Sequence, residues 1–504
     1  MNRRQFIEGF VGLFGPSLGY PAPGLAQTAT TKTIRVNIDT RRKQGRIPDD
    51  FTGLGYEISS VAIPGLLGEK NRVYAQLVRG LGANGVIRVG GITSDSASFA
   101  ADAVASPAAK ATVINAANLR ELGAFLDAIG WRLIWGLNLG SGDSKSAAKE
   151  AVAVTAAVKD KLLAFEIGNE PDGFAGDAFN AHRPKNYGYG DYLKEFRAYK
   201  AAIRSKLPDA PFAGPDASWA TDWVSNFAAD EGSDLKLLTR HYYRAGANNP
   251  YLDKLIGAGP DISPGQHAEY EARRKTNKID LLMREDTSIR GMLQQLSAAS
   301  SAAHVPFRIC EANSFYGGGQ PGVSDAFVSA LWVLDFMWSL AYGGAAGVNM
   351  QTGVNHLDFV SYYSAIRNDA DGAASIGPEY YGMLAFAQAG KGDRIALDYD
   401  TDGVNFTAYA VLGKHGDLTL TLINKDQNAD ADVTIATVGT LENATALRLT
   451  GAALDSADNV TLGGSEVASN GSWKPTEVES PHAARGVCEI HVPAASAAIV
   501  KWNA

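Results

Sequence analysis

The stretch LLAFEIGNE, residues 162–170, is apolar and β-favouring until it stops at Asn169 and Glu170, with Pro171 following. A short apolar run bounded by turn residues reads as a strand buried on both faces, the kind a parallel sheet contains. Its last residue is a carboxylate, which burial would penalise heavily unless the strand end opened into a cleft. A (β/α)8 barrel provides such a cleft at the carboxyl ends of its strands, so the reading turns on whether seven similar runs exist.

Three precede it: FTGLGYE (51–57), GVIRVGG (85–91) and RLIWGLNLG (132–140). Four follow: PFAGPDAS (211–218), LKLLTRHYY (235–243), PFRICEANS (306–314) and GAAGVNMQT (344–352). Ala-rich stretches with helical spacing separate them. YLKEFRAYKAAIRSKL (192–207) puts Tyr192, Phe196, Tyr199 and Ile203 on one face and ends at Pro208. Ahead of the seventh strand, Ile289, Met292, Leu293 and Leu296 share a face behind the capping candidates Asp286, Thr287 and Ser288. Eight strands alternating with helices predict a closed (β/α)8 TIM barrel over residues 51–390, since closure leaves no strand edge exposed.

From about residue 391 to 504 helical periodicity disappears, and strands such as LTLTLIN (418–424), ADVTIATV (431–438) and AAIVKWN (497–503) alternate with Gly, Asn and Asp. This predicts a β-sandwich that TIRVNID (33–39), within an N-terminal segment at 33–50, joins as an extra strand. The fold class is therefore α/β plus all-β. A long loop at 248–280 follows the sixth strand and would stand over the barrel mouth, where it can shape a substrate cleft.

The whole chain agrees with two domains: 504 residues exceed a single domain of roughly 100–200. Hydrophobic residues at 45% and charged residues at 20% exclude a disordered or fibrous chain. A net charge of −8 without a long basic run offers nothing to nucleic acid. Residues 1–26 carry Arg3 and Arg4 before Gln5, Phe6 and Ile7, a short weakly apolar segment, and small residues at Gly24–Ala26. They read as a twin-arginine-like export signal, or an ordinary secretory one, which implies a periplasmic or extracellular protein. No later run of about 18 apolar residues exists, so no membrane span is expected. Of the two cysteines, Cys310 lies in an apolar strand and reads as a buried thiol; whether it bonds Cys488 is open.

Glu170 closes the fourth strand and Glu311 the seventh, so both carboxylates face one mouth. Two carboxyl groups across a sugar are what glycoside hydrolysis uses: one protonates the leaving oxygen, the other attacks the anomeric carbon or activates water. Glu166, by contrast, sits mid-strand, and Arg88 or Arg308 would pair with it inside the barrel. YGGGQPG (316–322) follows the seventh strand, and N–H groups at Gly317 and Gly318 can cradle an anion; no Lys-Ser or Lys-Thr follows, so it is not a P-loop. Glu57, Thr93, Ser94 and Asp95, at the ends of the first two strands, are candidate contacts to sugar hydroxyls or loop caps. No metal-ligand spacing, Gly-x-Ser-x-Gly or dinucleotide fingerprint occurs, so no metal and no cofactor are expected.

FEIGNEPDGF (165–174) and FRICEANSFYGGGQPGVSDAF (307–327), with RHYY (240–243) and IRVGGITSD (87–95), resemble glycoside hydrolase family 79, the retaining β-glucuronidases and heparanases of clan A. The resemblance implies Glu170 as acid/base, Glu311 as nucleophile, Asn169 as a ligand of the sugar 2-hydroxyl and Tyr243 as a support of the nucleophile. It also implies that Tyr316, Gly317, Gly318 and a tyrosine after the eighth strand receive the glucuronate carboxylate. There the chain departs from the heparanase pattern, with Asn355 in VNHL; Tyr363 in SYYSAI (361–366) is the substitute. The expected activity is a retaining exo-β-glucuronidase acting on a glucuronide or a glucuronate-containing glycan. A heparanase-like endo-enzyme using a basic cleft such as ARRK (272–275), another clan A glycosidase, and a non-catalytic carbohydrate-binding protein are the alternatives.

Overall fold

A computed structural model describes residues 30–108, 111–176, 181–247, 275–276, 278–352, 361–368, 373–437 and 443–503. The expected export signal, almost all of the 248–280 loop, including Arg273 and Arg274, and the VNHL segment lie outside the described residues.

Eight parallel strands close into a barrel: Thr52–Glu57, Val86–Gly90, Arg132–Leu137, Leu162–Ile167, Phe212–Ala217, Leu235–Gly246, Phe307–Tyr316 and Val348–Gln351. The eighth pairs back to the first, Val348 opposite Thr52 and Gln351 opposite Gly55. Inside the barrel Val86, Ile134, Ala164, Ala213, Leu237 and Cys310 form one apolar layer, mostly small or branched residues that fill a narrow ring. Two residues further along their strands, pleat alternation brings Arg88 and Glu166 into the interior above that layer. Outside, helices cover the strands. Tyr189–Arg204 buries Tyr192, Phe196, Tyr199 and Ile203 as its spacing predicts, and Asp286 caps Thr287–Ala303 by accepting from the Ser288 N–H at 3.1 Å.

Ten strands form the second domain and are joined edge to edge in a single curled sheet. Thr30–Arg46 lies in its interior, antiparallel to Asp393–Asp400 and parallel to Ala429–Thr437, with Thr30 opposite Ala429. One face carries Ile34, Val36, Ile38, Leu420, Leu422, Val433 and Trp502 and closes on its own core; Val411, Ile423 and Ile499 join the core under the barrel. Between barrel and sheet runs Phe327–Tyr342, buried nearly all round, which is why it shows no polar face. Its buried Asp335 pairs with Lys425, just past the sheet strand Leu418–Asn424, and accepts from Thr407 at 2.7 Å and Tyr409 at 2.9 Å, both on the sheet. Cys310 and Cys488 are free, buried thiols in different cores. Among the described residues no helix is long and apolar enough to cross a membrane.

Candidate active site

Backbone irregularities aim the two glutamates. On the seventh strand Arg308 and Cys310 point into the barrel, so strict alternation would send Glu311 outward. The pairing with the sixth strand shifts register between Ile309 and Glu311, and that with the eighth between Ile309 and Ala312. This bulge turns Glu311 inward next to Cys310. On the fourth strand Gly168 (φ 84°) and Glu170 (φ 51°) adopt left-handed backbone, and Glu170 heads the short 3-10 turn Pro171–Gly173. Its N–H donates to the Asp216 carbonyl at 3.1 Å, fixing the turn against the fifth strand.

An oxygen of Glu170, a nitrogen of His241 and an oxygen of Glu311 all lie within 4.8 Å of one another. Glu311 accepts from Arg88 Nη1 at 2.7 Å and from the Tyr243 hydroxyl at 2.8 Å. Both donors hold the carboxylate in place at the mouth, as a nucleophile requires. Glu170 keeps 28% of its side chain exposed and meets His241 Nδ1 at 3.0 Å. Burial pushes its pKa up and the Glu311 charge adds to this, while His241 pulls it down; the balance is raised, which suits a proton donor.

His241 links this acid to a second carboxylate. Its Nε2 is 2.8 Å from Asp216 Oδ1, so both ring nitrogens face carboxylates and both carry protons. Burial alone would lower its pKa, but the Asp216 and Glu311 charges and the hydrogen bonds to Asp216 and Glu170 raise it well above the ordinary value. An imidazolium has no lone pair to offer a metal ion. Arg88, fully buried, also reaches Glu166 at 3.1 Å, Asn169 Oδ1 at 3.0 Å and Asp216. Of the two arginines the sequence offers Glu166, Arg88 is therefore the partner; Arg308 lies at the other end of the barrel. Burial, and then the Asp216 charge, push Glu166 up to about 7.

The remaining predicted residues divide. Glu57 is bonded to Thr93 through its N–H (2.9 Å) and hydroxyl (2.7 Å), and burial together with the Glu311 charge pushes its pKa up to about 7. Asp95 is fully buried, and its carboxylate faces the Asn169 N–H at 3.4 Å, so it supports the turn that follows the fourth strand. Tyr363 lies beside Tyr243 with ring centres 6.2 Å apart, and the exposed Tyr316 meets Tyr243 edge-on at 6.3 Å. Gly317, Gly318 and Gly319 all have positive φ, and the Gly318 carbonyl accepts from the Tyr362 N–H at 2.7 Å, docking the glycine loop on the tyrosine segment. The N–H groups of Gly319 and Gln320 are used inside the loop, at 3.1 Å to Phe315 and 2.8 Å to Ser324. A crevice of about 960 Å3 lies at the barrel–sheet seam beside Asp335 and Lys425 and includes neither Glu170 nor Glu311.

His241 and Asp216 are the residues sequence reasoning missed. The signals existed: His241 is two residues before Tyr243 on one strand and so shares its face, and Asp216 is a strand-end carboxylate like Glu170 and Glu311.

Comparison with known proteins agrees with this geometry. The β-glucuronidase of Neurospora crassa is 25% identical over 409 residues, 72% of this chain and 68% of that protein. The β-glucuronidase of Aspergillus niger is 26% identical over 348 residues, 63% of this chain and 59% of that protein. The crystal structure of a 4-O-α-L-rhamnosyl-β-D-glucuronidase from Fusarium oxysporum superposes with a TM-score of 0.70 at 18% identity, covering 94% of this chain and 99% of that one. Residues 408–499 match the Glycosyl hydrolase family 79 C-terminal beta domain, and with the barrel, the paired glutamates and these relatives the chain is similar to glycoside hydrolase family 79.

Proposed function

We propose that the protein is a retaining exo-β-glucuronidase that removes terminal β-linked glucuronic acid from glycosides. The observation that carries the mechanism is the approach of Glu170 and Glu311 oxygens within 4.8 Å. Retaining enzymes hold their carboxyl groups about 5–5.5 Å apart, whereas inverting enzymes leave about 6.5–9.5 Å for a water.

In the first step Glu311 attacks the anomeric carbon while Glu170 gives its proton to the glycosidic oxygen. The C–O bond breaks, the aglycone leaves as an alcohol, and a glucuronyl ester remains on Glu311. Glu170, now a carboxylate, takes a proton from a water whose oxygen attacks the same carbon, freeing Glu311 and releasing glucuronic acid with its β configuration. The choice of a uronate over glucose is supported by the glycine loop at 317–319 docked beside Tyr362 and Tyr363, and by the two β-glucuronidase relatives. Export to the periplasm or the medium belongs to the same reading, on the strength of Arg3, Arg4 and the small residues at Gly24–Ala26.

The test is release of nitrophenol from nitrophenyl β-glucuronide beside the β-glucoside, with Glu311→Gln as control. Preference for the glucuronide, lost in the control, is expected. Equal rates on both sugars would remove the uronate assignment, and an α-configured first product would remove the retaining mechanism.

A further inference from the structure

Trp219 leaves 65% of its surface in water, just beyond the fifth strand at the barrel mouth. A single exposed apolar side chain is ordinary; what sets this one apart is how firmly it is held. Asp172, two residues after Glu170, accepts from the N–H groups of Ser218 (2.9 Å), Trp219 (3.0 Å) and Ala220 (3.0 Å) and from the Ser218 hydroxyl (3.1 Å). Arg240 donates to the Trp219 carbonyl at 3.0 Å and, through Nε, to the Thr221 hydroxyl at 3.0 Å. The indole edge rests on Gly173, where a Cβ would stand 3.2 Å from Cη2. Gly173 in turn donates its N–H to the Glu170 carbonyl at 2.8 Å. The indole is thus fixed one turn from the acid/base, with its exposed surface open to solvent.

We infer that Trp219 is the platform of the leaving-group subsite and takes a flat ring, either an aromatic aglycone or the C–H face of a second sugar. The inference rests on Glu170 being the acid. That residue protonates the departing oxygen, so the aglycone must emerge on its side of the mouth, and an indole already held there stacks on a ring without ordering anything first. Asp172 and Gly173 serve the platform: the carboxylate fixes the backbone that carries the indole, and the missing Cβ lets the ring lie against the turn.

Three substrates test it: nitrophenyl β-glucuronide, a glucuronosyl-galactose disaccharide and methyl β-glucuronide, which has no ring to stack. Trp219→Ala is expected to raise KM about 5- to 20-fold on the ring-bearing substrates, to change the methyl glycoside less than threefold, and to leave inhibition by free glucuronate unaltered. Trp219→Phe should restore part of the loss. A loss confined to one ring-bearing substrate identifies the ring the platform takes. Equal losses on all three, or weaker glucuronate inhibition, would overturn the platform by making Trp219 a structural residue. If the unmodified enzyme cleaves another nitrophenyl glycoside instead, the same comparison run on that sugar separates the two ideas: the glucuronidase reading fails while the platform stands or falls by its own KM change. An enzyme that cleaves none of these glycosides removes both.

Discussion

Two arginines lie buried in the same barrel and are held in opposite ways. Arg88, near the mouth, faces Glu166, Asp216 and Glu311, and those charges raise its pKa against the effect of burial. Arg308, toward the floor, forms no ion pair among the described residues: Nε donates to Asn349 Oδ1 at 2.6 Å and its other nitrogens to the carbonyls of Asp50 (3.1 Å), Phe51 (3.1 Å) and Val348 (3.2 Å), and burial lowers its pKa. Gly53 and Gly347 leave room for it, since a Cβ at either would collide with the guanidinium. Carbonyl dipoles satisfy a cation without ever changing charge. Carboxylates satisfy it while remaining able to exchange protons, so the mouth is where protonation can be tuned and the floor is where the ring of strands is pinned shut.

The largest test of that contrast is at the mouth. Glu311→Gln keeps size and removes the nucleophilic charge, so kcat should fall by at least about 10^4-fold with the melting temperature little changed. Steady-state assays and calorimetry check both halves, and a collapse of the fold would mean that Glu311 is structural.

Next come the arginines themselves. Arg88→Met strands three buried carboxylates and should cost about 3–5 kcal/mol at neutral pH. Glu166 and Asp216 then lose the positive charge that lowers their pKa values, so stability should recover as pH falls. Arg308→Met strands only carbonyls, about 1–3 kcal/mol per unsatisfied group, and its loss should not vary with pH. Denaturant titrations at pH 5 and 8 read the difference, and parallel pH curves would erase the distinction drawn here.

Glu150 sharpens the point as a buried acid with neither solution. Among the described residues it accepts only from Trp135 Nε1, at 2.8 Å, and burial pushes its pKa from 4.5 to about 7. Between those values the folded chain keeps a proton that the unfolded chain has lost, so stability falls as pH rises from about 4.5 to about 7. Glu150→Gln should therefore stabilise by up to about 3 kcal/mol at pH 8 and hardly at all near pH 4.5, as thermal unfolding at both pH values would show.

The smallest expected effect is at His241. Replacing it with Gln removes the imidazolium that lowers the pKa of Glu170. The alkaline limb of kcat/KM, set by loss of the acid's proton, should move to higher pH while the maximum rate drops. A limb that stayed in place would exclude His241 from tuning the acid.

Much of this was legible in the sequence. The eight strands were, because each is a short apolar run between helical stretches, and so was the convergence of Glu170 and Glu311, because both end such runs. The inward turn of Glu311 was not, since it depends on a register shift against two neighbouring strands that leaves no local mark. Nor was the choice between Arg88 and Arg308: both are mid-strand arginines, and only their depth along the closed ring distinguishes carboxylate from carbonyl partners. The depth of Asp95 was not legible for a related reason, since a residue beyond a strand end can fold under the loop as easily as over it. The single sheet of ten strands was hidden because edge-to-edge continuity is set by partners far apart in sequence.

Among the described residues, Thr30–Arg46 is the one strand that joins Asp393–Asp400 on one side to Ala429–Thr437 on the other in the sheet order. A fragment cut where the sequence changes texture, near residue 391, would therefore present two separate sets of strands with an unfilled slot between them. During synthesis the slot and its filler are made hundreds of residues apart, so Thr30–Arg46 must wait, unpaired, until the barrel has been made. A short peptide copying residues 30–46 competes for that slot, which makes it a reagent for trapping the half-assembled chain.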